Sequence, residues 1–125
     1  MINLDYRDPR SLHEQIESGF RDLIVNGIMQ PDEQLPSVRE LSINLTVNPN
    51  TVQKAYKQLE LDGYIYSIKG KGSFVAAAKD VRKAHGTDVL YETLKQTVRE
   101  LMFLGEDKQG IQNLVNNIYS EKEEQ

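Results

Sequence analysis

The apolar positions of this chain change period several times, and each change marks an element. Leu12, Ile16, Phe20, Leu23 and Ile24 keep helical spacing until Asn26-Gly27. Ser11, with Glu14 three residues on, forms a capping box at the start of that helix. Ser37 and Glu40 repeat the signal, after a Pro36 that biases Leu35 to extended backbone. The helix they open is short, with Val38, Leu41 and Leu45 on one face and Arg39 pointing elsewhere. About three residues later Asn48-Pro49 supplies an N-cap and a proline at the first helical position. This next helix runs to about Asp62, where Gly63 fits the position just past its end. Val52, Ala55, Tyr56 and Leu59 fall on one side of it, and Asn50, Gln53, Lys54 and Lys57 on the other. Glu60 flanks the polar side, and Leu61 intrudes near its end.

The period then shortens. Residues 64–68 and 73–75 are β-branched and aromatic, and Lys69-Gly70-Lys71-Gly72 between them predicts a hairpin turn. Ile2, Leu4 and Tyr6 alternate with polar residues, which predicts a short strand pairing at the hairpin edge. Pro31-Asp32-Glu33 is a connecting loop. Residues 77–87 lack periodic apolar spacing and are expected to be a linker, helical in part at most. Thr87 caps a helix carrying Val89, Leu90, Leu94, Val98, Leu101, Met102 and Leu104, closed by Gly105. A last helix from about Asp107 carries Ile111, Leu114, Val115 and Ile118, and residues 121–125 are expected to fray.

Two short capped helices with a three-residue turn, followed at once by a glycine-tipped hairpin, make a winged helix-turn-helix. The expected fold class is α+β, mainly α: a winged helix-turn-helix over residues 1–76, a linker over 77–87 and a two-helix arm over 88–120. Such a fold lays its second helix in the DNA major groove. Asn50 and Gln53 carry the amides that pair bidentately with adenine, and Thr51 suits a phosphate or a thymine methyl. Lys54, Lys57, Lys69 and Lys71 suit phosphates, and Gly70 and Gly72 let the backbone approach one closely. The bland alternative for the helix is a solvated face; the neighbouring wing favours DNA.

The segments L-P-S-V-R-E-L, V-N-P-N-T-V-Q-K-A-Y-K-Q-L-E, D-G-Y-I and G-K-G-S-F-V resemble the DNA-binding domain of GntR-family transcription regulators. The N-P-N-T-V and G-K-G pieces and the short tail are most similar to the YtrA subfamily. The resemblance is strong over roughly residues 10 to 76. It implies a dimeric regulator, a repressor of its own operon, bound to a palindromic double-stranded DNA operator. It also implies DNA contacts by Arg39 and by the helix opening at Asn48. Two departures matter. Glycine is expected at position 32, where this chain has Asp32. Other branches of the family place guanine-reading arginines where Pro49 and Gln53 stand here, so a more A·T-weighted half-site is expected.

The C-terminal helices total about 30 residues and cannot bury their apolar stripe alone. They either fold back on the winged domain or pair with a second copy; the homodimer is favoured. Leu90, Leu94, Val98, Leu101, Met102, Ile111, Leu114, Val115 and Ile118 are the expected dimerisation positions. Too few residues remain for a metabolite pocket in one subunit. An unknown small-molecule effector is therefore expected at the dimer interface, or acting on the relative orientation of the winged domains.

Bulk composition changes this picture little. The chain has 125 residues and a net charge of −4, yet Lys54, Lys57, Lys69 and Lys71 face only Glu60 and Asp62 between Gln53 and Gly72. A modest basic face on an acidic body implies weak non-specific binding and dependence on a matched site. Cysteine is absent, which excludes disulfides, thiol chemistry and cysteine metal sites. No apolar run is long enough for a membrane span and no leader opens the chain, so a cytoplasmic location is expected. His13 and His85 lack metal-site spacing; His85 with Asp88 and Glu92 is at best a weak site, and no cofactor is expected. No catalytic cluster appears, so an enzyme is a distant third reading. A winged-helix module that binds protein is the stronger rival.

Overall fold

A computed structural model describes residues 2–123, without the side chains of His85 and Glu123. The chain divides into two compact units, one ending at Gly86 and one starting at Thr87. The first holds α1 (Leu12–Val25), α2 (Val38–Leu45), α3 (Pro49–Leu61), β1 (Ile65–Ile68), β2 (Gly72–Val75) and α4 (Ala78–His85). The second holds α5 (Asp88–Phe103) and α6 (Lys108–Glu123). No helix among the described residues is long and apolar enough to cross a membrane.

Three of the four caps foreseen at helix starts form. Ser11 Oγ accepts from the Glu14 amide at 3.3 Å, Ser37 Oγ from Glu40 at 3.0 Å, and Asn48 Oδ1 from Asn50 at 2.8 Å. α1 packs across α3, and Ile16, Phe20, Val52, Ala55 and Leu59 are almost wholly removed from water. Each buried leucine or isoleucine contributes roughly 1.5–3 kcal/mol. Tyr56 joins them, edge-on to Phe20 at 5.7 Å, while its hydroxyl donates to the Pro36 carbonyl at 2.7 Å. That bond fastens α3 to the chain just before α2. Burial, and secondarily the charge of Glu40, pushes the Tyr56 hydroxyl pKa up, so it stays a donor at any physiological pH.

The turn between α2 and α3 is Thr46-Val47-Asn48, and Thr46 adopts a left-handed conformation, φ 55° and ψ 51°. Left-handed backbone is costly for a β-branched residue, by about 1–2 kcal/mol, and the tight turn holds it there. Asp32 also has a positive φ, 70°. It occupies the place where glycine was expected, and Asp tolerates that region better than most residues. Its carboxylate also accepts from the Tyr66 hydroxyl at 2.7 Å.

Four expectations need correction. The Ile2-Leu4-Tyr6 segment forms no strand. Ile2 is buried in the core against Gly19, where a Cβ would stand 2.5 Å from its Cδ1. Gln15 fastens this segment to α1: its Oε1 accepts from the Asp5 amide at 2.8 Å and its Nε2 donates to the Asp5 carbonyl at 2.9 Å. The hairpin edge is instead lined by residues 32–35. The Asp32 amide donates to the Val75 carbonyl at 2.7 Å, Val75 to Glu33 at 2.9 Å and Leu35 to Ser73 at 2.9 Å.

The expected linker contains α4, which belongs to the first unit. Val81 packs on the core, and α4 crosses so close to Gly63 that a Cβ there would lie 2.7 Å from Ala84 Cβ. Thr87 stands at the N-cap position of α5, but its side chain makes no cap bond; only its carbonyl accepts, from the Tyr91 amide at 3.0 Å. The helix of the expected frayed tail continues through Glu123; Glu124 and Gln125 lie outside the described residues.

Candidate nucleic-acid interface

The interface is built from α3 and the hairpin that follows it. α3 sits with Val52, Ala55, Tyr56 and Leu59 turned into the core, so its opposite side must face solvent. Asn50, Gln53, Lys54 and Lys57 are all exposed, and Thr51 is half-buried at the first turn. Asn48 is exposed too; its Oδ1 accepts the helix-cap bond, and its Nδ2 can donate to an outside partner. Arg39 lies exposed in the first turn of α2.

The hairpin pairs Ile65 with Val75, Tyr66 with Phe74, Ser67 with Ser73 and Ile68 with Gly72. Its loop is therefore Lys69-Gly70-Lys71, closed by the Lys71 amide donating to the Ile68 carbonyl at 2.9 Å. Gly72, taken above as part of the turn, is the first residue of β2. Both lysines stand exposed at the tip.

A brace that sequence patterning did not reveal holds this tip. Gln34 Nε2 donates to the Lys71 carbonyl at 2.8 Å, across 37 positions of chain. A Cβ on Gly72 would stand 2.9 Å from the same Nε2, so a side chain there would displace the brace. The signal was a lone glutamine in a loop, which carries no periodicity.

Charge on this surface is uncompensated. Among the described residues Arg10–Asp8 and Lys95–Glu92 are ion pairs and His13 meets Glu17, and none of these contacts involves Arg39, Lys54, Lys57, Lys69 or Lys71. The two nearby acids are held by neutral donors. Glu60 Oε2 accepts from the Ser67 hydroxyl at 3.3 Å, and Asp62 Oδ1 from Gln58 Nε2 at 3.1 Å. Arg39 forms no salt bridge to either Glu40 or Asp62. Tyr64 and Tyr66 are engaged within the fold. Tyr64 is buried, with the Arg21 guanidinium 5.8 Å from its ring centre. Tyr66 stacks on Phe74 at 5.6 Å, and its hydroxyl donates a hydrogen bond to the Asp32 carboxylate, which raises the phenol pKa.

No group of three or more potential metal ligands occurs among the described residues, and the His85 side chain lies outside them.

The family model for bacterial regulatory proteins of the gntR family matches residues 12–75, which span α1 through β2. The HTH-type transcriptional repressor YtrA of Bacillus subtilis (strain 168) is 34% identical over 119 residues, covering 94% of this chain and 92% of that protein. The chain belongs to the gntR family. Its likeness to solved structures of that fold extends past the winged unit. A transcriptional antiterminator from Listeria monocytogenes EGD-e superposes with a TM-score of 0.77 at 34% identity, over 95% of this chain and 90% of that one. The DNA-binding domain of AraR, solved in complex with the operator ORE1, superposes with a TM-score of 0.53 at 29% identity. That match covers 61% of this chain and 93% of that one. The gntR model thus falls on the elements that carry the exposed amides, the lysines and the braced wing.

Proposed function

We propose that this gntR-family chain is a sequence-specific DNA-binding transcription regulator. It acts in the cytoplasm as a homodimer and represses its own operon by occupying a two-fold operator. The observation that carries the reading is the exposed face of α3. It offers two carboxamides and two lysines, has no acid paired to it, and lies beside a wing whose tip is held by Gln34. In the bound state Gln53 and Asn50 meet adenine edges in the major groove. Thr51, Lys54, Lys57, Arg39 and the Nδ2 of Asn48 meet the backbone. The Lys69-Gly70-Lys71-Gly72 stretch lies along a flanking phosphate run. The similar proteins are named as a transcriptional repressor and as a domain bound to its operator, and both fit this role.

The dimer is supported by the second unit. Among the described residues neither α5 nor α6 has a buried one, and Leu90, Leu94, Met102, Leu114 and Ile118 are all more than half exposed. Val98, Leu101 and Ile111 are half-buried, and Val115 is 40% exposed. Tyr91, Phe103, Leu104 and Tyr119 extend the apolar surface beyond the positions expected from spacing; Phe103 is 87% exposed. An apolar surface of this extent on two helices needs cover, and a second copy supplies it with two-fold symmetry. That symmetry sets two α3 helices about 34 Å apart, one turn of DNA.

A gel shift with the chain's own upstream DNA, with and without excess random competitor, tests the reading. A shift that survives competitor is expected. A shift lost equally to any DNA would favour a non-specific binder, and no shift at all would favour a protein-docking module.

A further inference from the structure

Beyond the DNA-binding face, the winged unit contains a cleft of about 410 Å³ between α1, the 28–36 loop and α2. It lies within the size range of small-ligand sites, about 300–1,000 Å³. Phe20, Met29 and Leu41, all buried, are among the residues that floor it, and Ile28 stands at its edge, 69% exposed. The lining is apolar apart from Glu33, Gln34 and Asn44, so it holds one acid and no base. Glu33 is exposed and makes no ion pair; one of its oxygens accepts from the Gln30 amide at 3.2 Å.

Gln34 belongs to both sites. It lines the cleft, and it is the residue whose amide braces the wing tip at the Lys71 carbonyl. Its neighbours Glu33 and Leu35, together with Asp32, are hydrogen-bonded to β2 along the wing edge. A molecule entering the cleft therefore meets the loop segment that borders β2 and the side chain that braces the wing tip.

We infer that this cleft is an effector site for a small lipophilic amine. The apolar body sits over Phe20, Met29 and Leu41, the ammonium faces Glu33, and occupancy takes Gln34 away from the wing. An ammonium at the mouth of the cleft is attracted by the Glu33 carboxylate, whereas an anion would meet that charge with no cation to offset it. The location differs from the dimer interface expected from the sequence. Loss of the brace frees the wing tip, so occupancy and operator binding oppose each other, and the opposition is reciprocal.

The ligand assignment stands independently of the DNA-binding reading; the coupling rests on it. Calorimetry on the full chain without DNA addresses the first, using 1-adamantylamine, 1-adamantanol and 1-adamantanecarboxylate as probes of one shape and three charges. The amine is expected to bind about tenfold tighter than the alcohol, as a hydrogen bond to a charged group warrants, and the carboxylate not at all. Glu33→Gln should erase the preference while leaving alcohol binding unchanged. Equal binding of all three, no binding of the amine, or a preference that survives Glu33→Gln would each overturn the assignment.

The second arm measures operator affinity with and without saturating amine. A fall of about fivefold or more is expected in the wild type and none in Gln34→Ala, although that variant still binds the amine. Unchanged operator affinity in the amine-saturated wild type would overturn the coupling. So would a fall of equal size in Gln34→Ala. A chain that ignores its operator without amine would instead count against the DNA-binding reading, and the calorimetry would still decide the ligand.

Discussion

Gly63→Ala tests whether α4 is part of the winged unit, which patterning assigned to a linker. Two costs are separable at this position. The first is conformational: Gly63 has φ +83°, and a non-glycine residue in that region costs about 1–2 kcal/mol. The second is steric. A Cβ would lie 2.7 Å from Ala84 Cβ, 3.1 Å from the Asp80 carbonyl oxygen and 3.2 Å from Val81 Cα. Two of those atoms are backbone and cannot swing aside, so α4 must shift, at about 1–3 kcal/mol. Against these, alanine lowers the entropy of the unfolded chain, worth about 0.4–1 kcal/mol. The net expectation is a loss of about 2–4 kcal/mol. Gly70→Ala is the matched control. Its φ is +80°, but nothing lies within 4 Å of the new Cβ, so only the conformational cost applies. Urea unfolding followed by circular dichroism, at one fixed protein concentration because association contributes to stability, measures both. The difference between the variants should be about 1–3 kcal/mol. Equal losses would mean that α4 does not press on Gly63 in solution, and the packing argument would fall.

Gln53→Ala should cost about 1–3 kcal/mol on the cognate operator and little on random DNA; equal losses would confine Gln53 to backbone contact. Lys71→Ala should weaken binding to every sequence and flatten the salt dependence by about one unit, and an unchanged slope would remove Lys71 from the phosphate contacts. Tyr56→Phe keeps the edge-on contact with Phe20 but leaves the Pro36 carbonyl short of a donor, so about 1–2 kcal/mol should be lost in urea unfolding; no loss would mean that water replaces the hydroxyl. Leu94→Glu places a charge on the exposed stripe of α5 and should yield monomers in sedimentation with roughly 100-fold weaker operator binding; a dimer of unchanged affinity would place the association surface elsewhere.

Much of the fold was legible because its signals are local. Ser11, Ser37 and Asn48 each precede a helix start, and a cap depends only on the next three residues. The core side of α3 followed from spacing alone, and so did the exposed side that forms the candidate interface. What escaped patterning depends on contacts across long stretches of chain. Ile2 alternates with Leu4 and Tyr6 like a strand, yet a gap above Gly19 takes its side chain, and residues 32–35 take the wing edge. α4 has few apolar residues, and its main anchor is the single Val81 beside a glycine. Gln34 carries no pattern at all; its importance appears only when Lys71, far along the chain, is folded back beside it. Thr46 gave no warning of left-handed backbone, because the turn imposes that conformation against the residue's own preference.

Selection from a random duplex pool by the purified full chain tests the central claim most directly. The account predicts an enriched inverted repeat with A·T-weighted half-sites whose centres lie about 10 base pairs apart, and loss of that preference with Gln53→Ala. A pool that emerges without a repeat, or the same repeat enriched equally by the Gln53→Ala chain, would contradict it.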